Sequence, residues 1–288
     1  MDTIFNQFGD WLKSQIIPVL MAQLRAMYDG VNAQVDSVSS QAGMTPARFS
    51  PQVFNMIKSV SENAIMPIAG IILTFVACYE LIQLIMSYNN LANFETWFIF
   101  KWVIKTFVAV ELITHTFDFT MAVFDVTQTV ITRAGGIING STAIDASALS
   151  TMQSTIERMS IWGVLFLFLQ IWIIGLATNI LSKVIFVIIY ARMIEIYLMV
   201  SLAPIPFATL GNKEQGVMGQ NYIRSLFALG FQGFLILICV GIYAVLIRTV
   251  AFSSDIIGSL WGVLGYTILL AFTLFKTGSI AKSVLNAH

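Results

Sequence analysis

The sequence predicts an all-α fold, a polytopic transmembrane helical bundle of six spans, or five if the second lies at an interface, with an amphipathic N-terminal helical region. Three observations lead there. Of the 288 residues, 57% are hydrophobic and 10% charged, whereas an ordinary soluble domain is about 25% charged. Mean hydropathy is +0.82. Several charge-free runs approach or exceed the roughly 20 apolar residues that cross a hydrocarbon core of about 30 Å. In lipid such a run must be helical, because only a helix satisfies its own backbone.

The N-terminal region, residues 1–62, interleaves polar and apolar residues. In "FNQFGDWLKSQIIPVLMAQLRAMYDGV", Phe5, Phe8, Leu12, Ile16, Leu20, Leu24 and Met27 recur at helical spacing, which predicts an amphipathic helix. It lies on the membrane, packs on a partner or packs against its own bundle; charge does not decide among these. Gly, Ser and two Pro in "SSQAGMTPARFSP", 39–51, predict a loop. Asp2 precedes any basic residue, and no compact apolar core with a small-residue cleavage site follows, so no cleaved signal peptide is expected.

The transmembrane domain is expected over 63–288. Between Glu62 and Glu80 there are 17 uncharged residues, between Arg158 and Lys183 there are 24, between Arg224 and Arg248 there are 23, and between Asp255 and Lys276 there are 20. Two further segments are apolar runs with charges inside them. One holds Lys101, Lys105 and Glu111; the other holds Arg192 and Glu195. The spans are therefore placed near 64–86, 97–113, 161–181, 184–203, 225–247 and 256–275. Lys101 and Lys105 share a face and can snorkel to an interface, which is why the second span is the one that can drop out. After it the helix is expected to run to Arg133 and break at Gly135, Gly136 and Gly140, with a short helix over Ser147–Met159. No internal repeat or inverted duplication is evident, which weighs against a repeat-built transporter. Counting Lys and Arg by connection favours both termini in the cytoplasm, with the C-terminal tail "KTGSIAKSVLNAH" inside.

Arg192 and Glu195 stand at i and i+3 on one helical face. A charge at mid-membrane costs about 2.5–3.5 kcal/mol on insertion scales, so the two face protein or water. They form an internal salt bridge or a cross-helix pair that fixes register, or else belong to a polar conduit or proton relay. Loss of either is expected to impair assembly, and a charge-swapped double variant to recover part of it. Glu80 with Gln83, and Glu111, are candidate polar partners elsewhere in the bundle. Pro204 and Pro206 stop or kink the helix, and Gly211, Gly216 and Gly219 suggest a pliable hinge or re-entrant element. Gly258, Gly262 and Gly265 allow close helix approach in the last span.

Other chemistry is not indicated. Cys78 and Cys239 lie in apolar segments without metal-type spacing, and neither His115 nor His288 sits in a ligand constellation. No phosphate loop, GxSxG turn or HExxH motif is present, so neither an enzyme nor a cofactor is expected. Fifteen Lys and Arg balance fifteen Asp and Glu, so the chain has no net basic field to attract nucleic acid.

The blocks "FVIIYARMIEIYLMVSLAPIPFATL", "MGQNYIRSLFALGFQGFLI", "GYTILLAFTLFKTGSIAKSV" and "IKSVSENAIMPIAGIILTFVACYELIQLI" resemble the TrbL/VirB-six-like polytopic membrane subunits of conjugative type IV secretion systems, in the form found in Gram-positive mobile elements. The resemblance covers the chain from about residue 52 onward. It implies a non-enzymatic component of a DNA-transfer channel at the cell membrane that forms a homo-oligomer. The implied partners are secretion ATPases, membrane lipids and single-stranded DNA with an attached relaxase. The competing reading from the residues is a small-solute or ion transporter using Arg192, Glu195 and Glu80 as an intramembrane relay.

Overall fold

The computed structural model describes residues 2–86, 96–138, 146–212, 214–251 and 255–287. The expected break at Gly140, and Lys213 and His288, lie outside the described residues. Within them the chain is helical throughout: α1 (Asp2–Ala42), α2 (Pro46–Phe49), α3 (Pro51–Val60), a π-helical segment (Ser61–Ile65), α4 (Met66–Met86), α5 (Thr96–Thr114), α6 (Thr116–Ile138), α7 (Ala146–Glu157), α8 (Ile161–Leu202), α9 (Pro204–Ala208), a 3₁₀ turn (Thr209–Gly211), α10 (Gly216–Ala251) and α11 (Ile256–Val284). The six expected spans fall on five of these helices. Four segments are long and apolar enough to cross a membrane: Pro51–Met86, Ile161–Leu202, Gly216–Val250 and Ile256–Val284. The protein is a polytopic membrane protein built as an all-α bundle.

Three local outcomes differ from the sequence expectation, each for a physical reason. The separate spans 161–181 and 184–203 are one helix of 42 residues, α8. Lys183 suggested a boundary, but "LSKV" contains no Gly or Pro, and one charge does not end a helix. At 1.5 Å per residue α8 is about 63 Å long, roughly twice a hydrocarbon core. The expected loop 39–51 is largely helical, because Pro46 and Pro51 each occupy a first-turn position, where the missing N–H costs nothing. Ser50 caps α3 by accepting from the Val53 amide at 3.4 Å. Finally, α6 continues through Gly135 and Gly136 to Ile138 instead of ending near Arg133. Helical backbone tolerates glycine at a cost of about 1 kcal/mol each.

The second span, 97–113, forms as α5 but, with Lys101, Lys105 and Glu111 inside it, is not one of the four crossing segments. The segment preceding α4 is π-helical, with Met66 N bonded five residues back to Ser61 O. Pro67, which has no N–H to continue the α-helical ladder, follows directly.

The chain divides into two units. The first comprises Met1–Ala42, Ile131–Ile189 and Leu235–Thr277. Its core takes Leu24, Tyr28, Val31, Val35, Val38 and Ala42 from α1, a four-and-three spacing that gives one buried stripe, and packs them with apolar residues of α7, α8, α10 and α11. Lipid tails are as apolar as leucine, so close packing and interhelical hydrogen bonds hold such helices together. The Tyr243 and Thr267 hydroxyls meet at 2.9 Å, and Ser259 donates to Val250 O at 2.9 Å. A Cβ on Gly262 would lie 2.8 Å from Val250 Cγ1, so α10 and α11 need glycine there. Gly258 instead faces Asp255, whose carboxylate caps the first turn of α11, and a Cβ on Gly265 would meet open space.

The second unit comprises Gly43–Val130, Tyr190–Phe234 and Gly278–His288. It gathers α2 to α5, most of α6, the end of α8, α9 and the start of α10 around a core that includes Phe117, Met193, Tyr197, Phe207 and Leu226. The Tyr197 hydroxyl donates to Pro46 O at 2.7 Å, tying α8 to α2.

Candidate functional site

Four of the five polar residues singled out by sequence, Arg192, Glu195, Glu80 and Gln83, fall into two clusters of the second unit. The first is built on α8. Arg192 is buried, 4% exposed. Its Nε and Nη2 donate to Leu229 O at 3.3 and 3.2 Å, and Nη2 also to Gly230 O at 3.4 Å, so a charged side chain of α8 reads the backbone of α10. The approach of a third helix makes the spot tight. A Cβ on Gly230 would fall 2.7 Å from Thr127 Cγ2 of α6. One turn along α8, Glu195 accepts from Lys282 of α11 at 3.0 Å. Both side chains are 45% exposed. Gln232 of α10 packs over Gly278 of α11, where a Cβ would lie 3.2 Å from its amide nitrogen. Arg192 and Glu195 thus reach two different helices.

The second cluster forms where the chain breaks. Pro204 cannot donate back to Val200 O, and the Ala203 amide does so instead at 3.3 Å. Helix α8 ends at Leu202, and α9 begins with Pro204 and packs against α4 and α5. After the 3₁₀ turn, Asn212 is buried, and its Nδ2 donates to Glu80 Oε2 of α4 at 2.6 Å. Its Oδ1 accepts from the amides of Glu214 and Gln215 at 2.8 and 3.1 Å, an Asx turn that starts α10. Lys105 of α5 holds the other oxygen of Glu80 at 2.5 Å. Gln83 donates to Glu214 Oε2 at 3.3 Å. Glu80 and Gln83, considered as partners for bundle charges, therefore meet the proline-containing segment.

Glu111 belongs to neither cluster and stands half-exposed on α5, 3.6 Å from His115. Among the described residues no glycine has a positive φ, so the glycines of the break are not needed there for left-handed backbone. Gly219 is required by contact, since a Cβ would lie 2.6 Å from Leu210 and 2.7 Å from Pro206 O. A Cβ on Gly211 or Gly216 would make ordinary contacts, the nearest at 3.7 and 3.6 Å. Gly219→Ala is accordingly expected to lower stability by about 1–3 kcal/mol by overpacking, while Gly211→Ala is nearly neutral. Thermal unfolding of the two variants in detergent checks the contrast.

Lys105, Asn212, Lys282 and Gln232 complete the clusters, and the sequence reading paired none of them with Glu80, Arg192 or Glu195. Asn212 had a local signal, an Asn just ahead of a helix start. Lys282 had none, being 87 residues from Glu195. The chemistry of both clusters is ion pairing and backbone capping. Among the described residues no three His, Cys, Asp or Glu side chains are placed to hold a metal.

No curated protein and no solved structure matches the chain. Residues 31–204, from the last third of α1 to the proline that breaks α8, match the family described as TrbL/VirB6 plasmid conjugal transfer like protein. That match covers more than half of the chain and takes in Glu80, Arg192 and Glu195, so the protein belongs to the TrbL/VirB6-like family of conjugal transfer proteins.

Proposed function

We propose that this conjugal transfer protein is a channel or platform subunit of a type IV secretion system, assembling as a homo-oligomer that helps single-stranded DNA with its attached relaxase across the cell membrane. The family match over residues 31–204 carries the reading. Ion-paired, capped polar clusters suit a scaffold held in register better than a solute-binding pocket. Secretion ATPases are its partners on the cytoplasmic side, where the C-terminal tail lies. Zero net charge is compatible with passage of a polyanion, which a strongly basic lining would retain.

The test is capture of DNA during mating. A photo-crosslinking residue in this subunit is expected to trap transferred strand in mating cells and none in cells lacking the relaxase. If no strand is trapped from any position while deletion of the gene still abolishes transfer, the subunit acts as an anchor and the conduit reading fails.

A further inference from the structure

We infer that the outward face of α1, from Arg25 to Ser40, lines a water-filled passage at membrane depth. The inference rests on the reading of the chain as a conduit subunit and concerns only the first unit.

The first unit has two unlike surfaces. Every exposed residue between Leu20 and Ala42 of α1 is Ala, Gly, Ser, Asp or Arg, with Arg25, Asp29 and Asp36 all outward. No large apolar side chain is exposed there. The neighbouring helices are the reverse: α8 exposes Trp162, Phe166, Leu169, Trp172, Ile173 and Leu176, and α11 exposes Trp261, Leu269 and Phe272.

The two surfaces belong to helices that share one core. The buried stripe of α1 packs with Leu167, Ile171 and Ile174 of α8, Ile236 and Val240 of α10, and Leu260 and Val263 of α11. Those residues lie within the charge-free runs 159–182, 225–247 and 256–275, on helices long and apolar enough to cross a membrane. If they are at bilayer depth, α1 is too. The apolar outer faces of α8 and α11 suit lipid. The outer face of α1 does not, because ionised side chains at that depth face a bundle interior or a water-filled cavity. A hydrophilic face running for over four turns is more than one snorkelling lysine can account for.

The seam between α1 and α8 is partly polar. A groove of about 600 Å³ there takes Gln23 of α1 and Thr178, Asn179 and Ser182 of α8 together with apolar residues, Met27, Trp172 and Leu176 among them. Ser182 donates to Gln34 Oε1 of α1 at 2.8 Å. Polar side chains of α8's middle thus sit on the α1 side, where the apolar face of α8 meets the groove. Water reaching the face of α1 has a partly polar recess to enter.

Cysteine accessibility in the full secretion complex tests this. In a Cys78→Ser, Cys239→Ala background, single cysteines replace Ala26, Ala33 and Ser37 on α1, and Leu169, Ile173 and Phe272 on the apolar faces. All six positions are on outer surfaces, so packing is untouched, and labelling after denaturation counts the thiols present. A charged, membrane-impermeant methanethiosulfonate is applied to membranes open on both sides. The α1 set is expected to react about tenfold faster or more, since only a hydrated thiol ionises to the reactive thiolate. Protection of the α1 set at the level of the α8 and α11 set overturns the inference by showing the face covered. Equal, rapid labelling of both sets overturns it too, by placing the first unit outside the bilayer. Strand trapping in mating cells reads the conduit function separately, so loss of that reading and loss of this one give different results.

Discussion

Arg192→Glu is expected to remove the protein from the membrane, and adding Glu195→Arg in the same chain is expected not to restore it. The guanidinium of Arg192 is a donor aimed at two carbonyl oxygens of α10. A carboxylate there would face those oxygens with no proton to offer, in a site that is 4% exposed. It would also stand one turn from Glu195. Burying an uncompensated charge costs about 3–5 kcal/mol, which is on the order of a hundredfold or more in the folded population. The swapped partner cannot help, because Glu195 is directed to Lys282 of α11. The swap that should work is Glu195→Lys with Lys282→Glu, which restores the pair in reverse. Its single variants should cost little, about 0.2–1 kcal/mol, because both side chains are nearly half exposed. Quantifying folded protein in purified membranes across this series checks the order. Recovery by the Arg192/Glu195 swap, at wild-type level, would mean the two charges bond mainly to each other.

That expectation reverses the reading the sequence invites, and the reason is general. Spacing along a helix is legible, so Arg192 and Glu195 could be placed on one face of α8 and kept out of lipid. The identity of the facing helix is not, because a carbonyl acceptor such as Leu229 O has no signature in the sequence and Lys282 is distant along the chain. The same limit governs α8 itself. Hydropathy marks where apolar runs occur, and those runs yielded the all-α membrane bundle, the positions of α4, α10 and α11, and the amphipathic α1. It does not say whether a charge between two runs ends a helix. Lys183 does not, and so two expected spans became one. Proline misleads in the other direction at Pro46 and Pro51, where it starts helices in a segment expected to be a loop, yet at Pro204 it does what was expected and ends α8. All three begin a helix, and what separates them is the residue before: Thr45 and Ser50 are extended, whereas Ala203 is helical and α9 follows α8 directly.

The largest expected effect at the break is on Asn212. Asn212→Ala is expected to free the start of α10 and to unlatch it from α4 together. One side chain performs both tasks: Nδ2 bonds Glu80, and Oδ1 holds the amides of Glu214 and Gln215. Those amides belong to the entry into α10, where the first N–H groups of a helix have no intrahelical partner. Without Oδ1 they should exchange with solvent about fivefold faster, as loss of a cap worth about 1 kcal/mol implies. Glu80→Ala acts from the other end. It leaves Nδ2 of a buried asparagine without its acceptor, at a cost of about 1–3 kcal/mol, while Lys105 is exposed enough to turn to water. Because the two residues share one bond, their effects should not add. A double-mutant cycle on unfolding in detergent should return a coupling of about 1.5–3 kcal/mol, the range for a hydrogen bond to a charged group. Additive effects, or unchanged exchange at Glu214 and Gln215 in Asn212→Ala, would show that the segment is held by the packing of α9 on α4 and α5 alone. If the latch operates as the geometry describes, Glu80→Gln is the informative variant. It retains an acceptor for Asn212 but loses the charge that strengthens that bond and attracts Lys105, so it should keep a reduced coupling of about 0.5–1.5 kcal/mol while lowering stability by less than Glu80→Ala does.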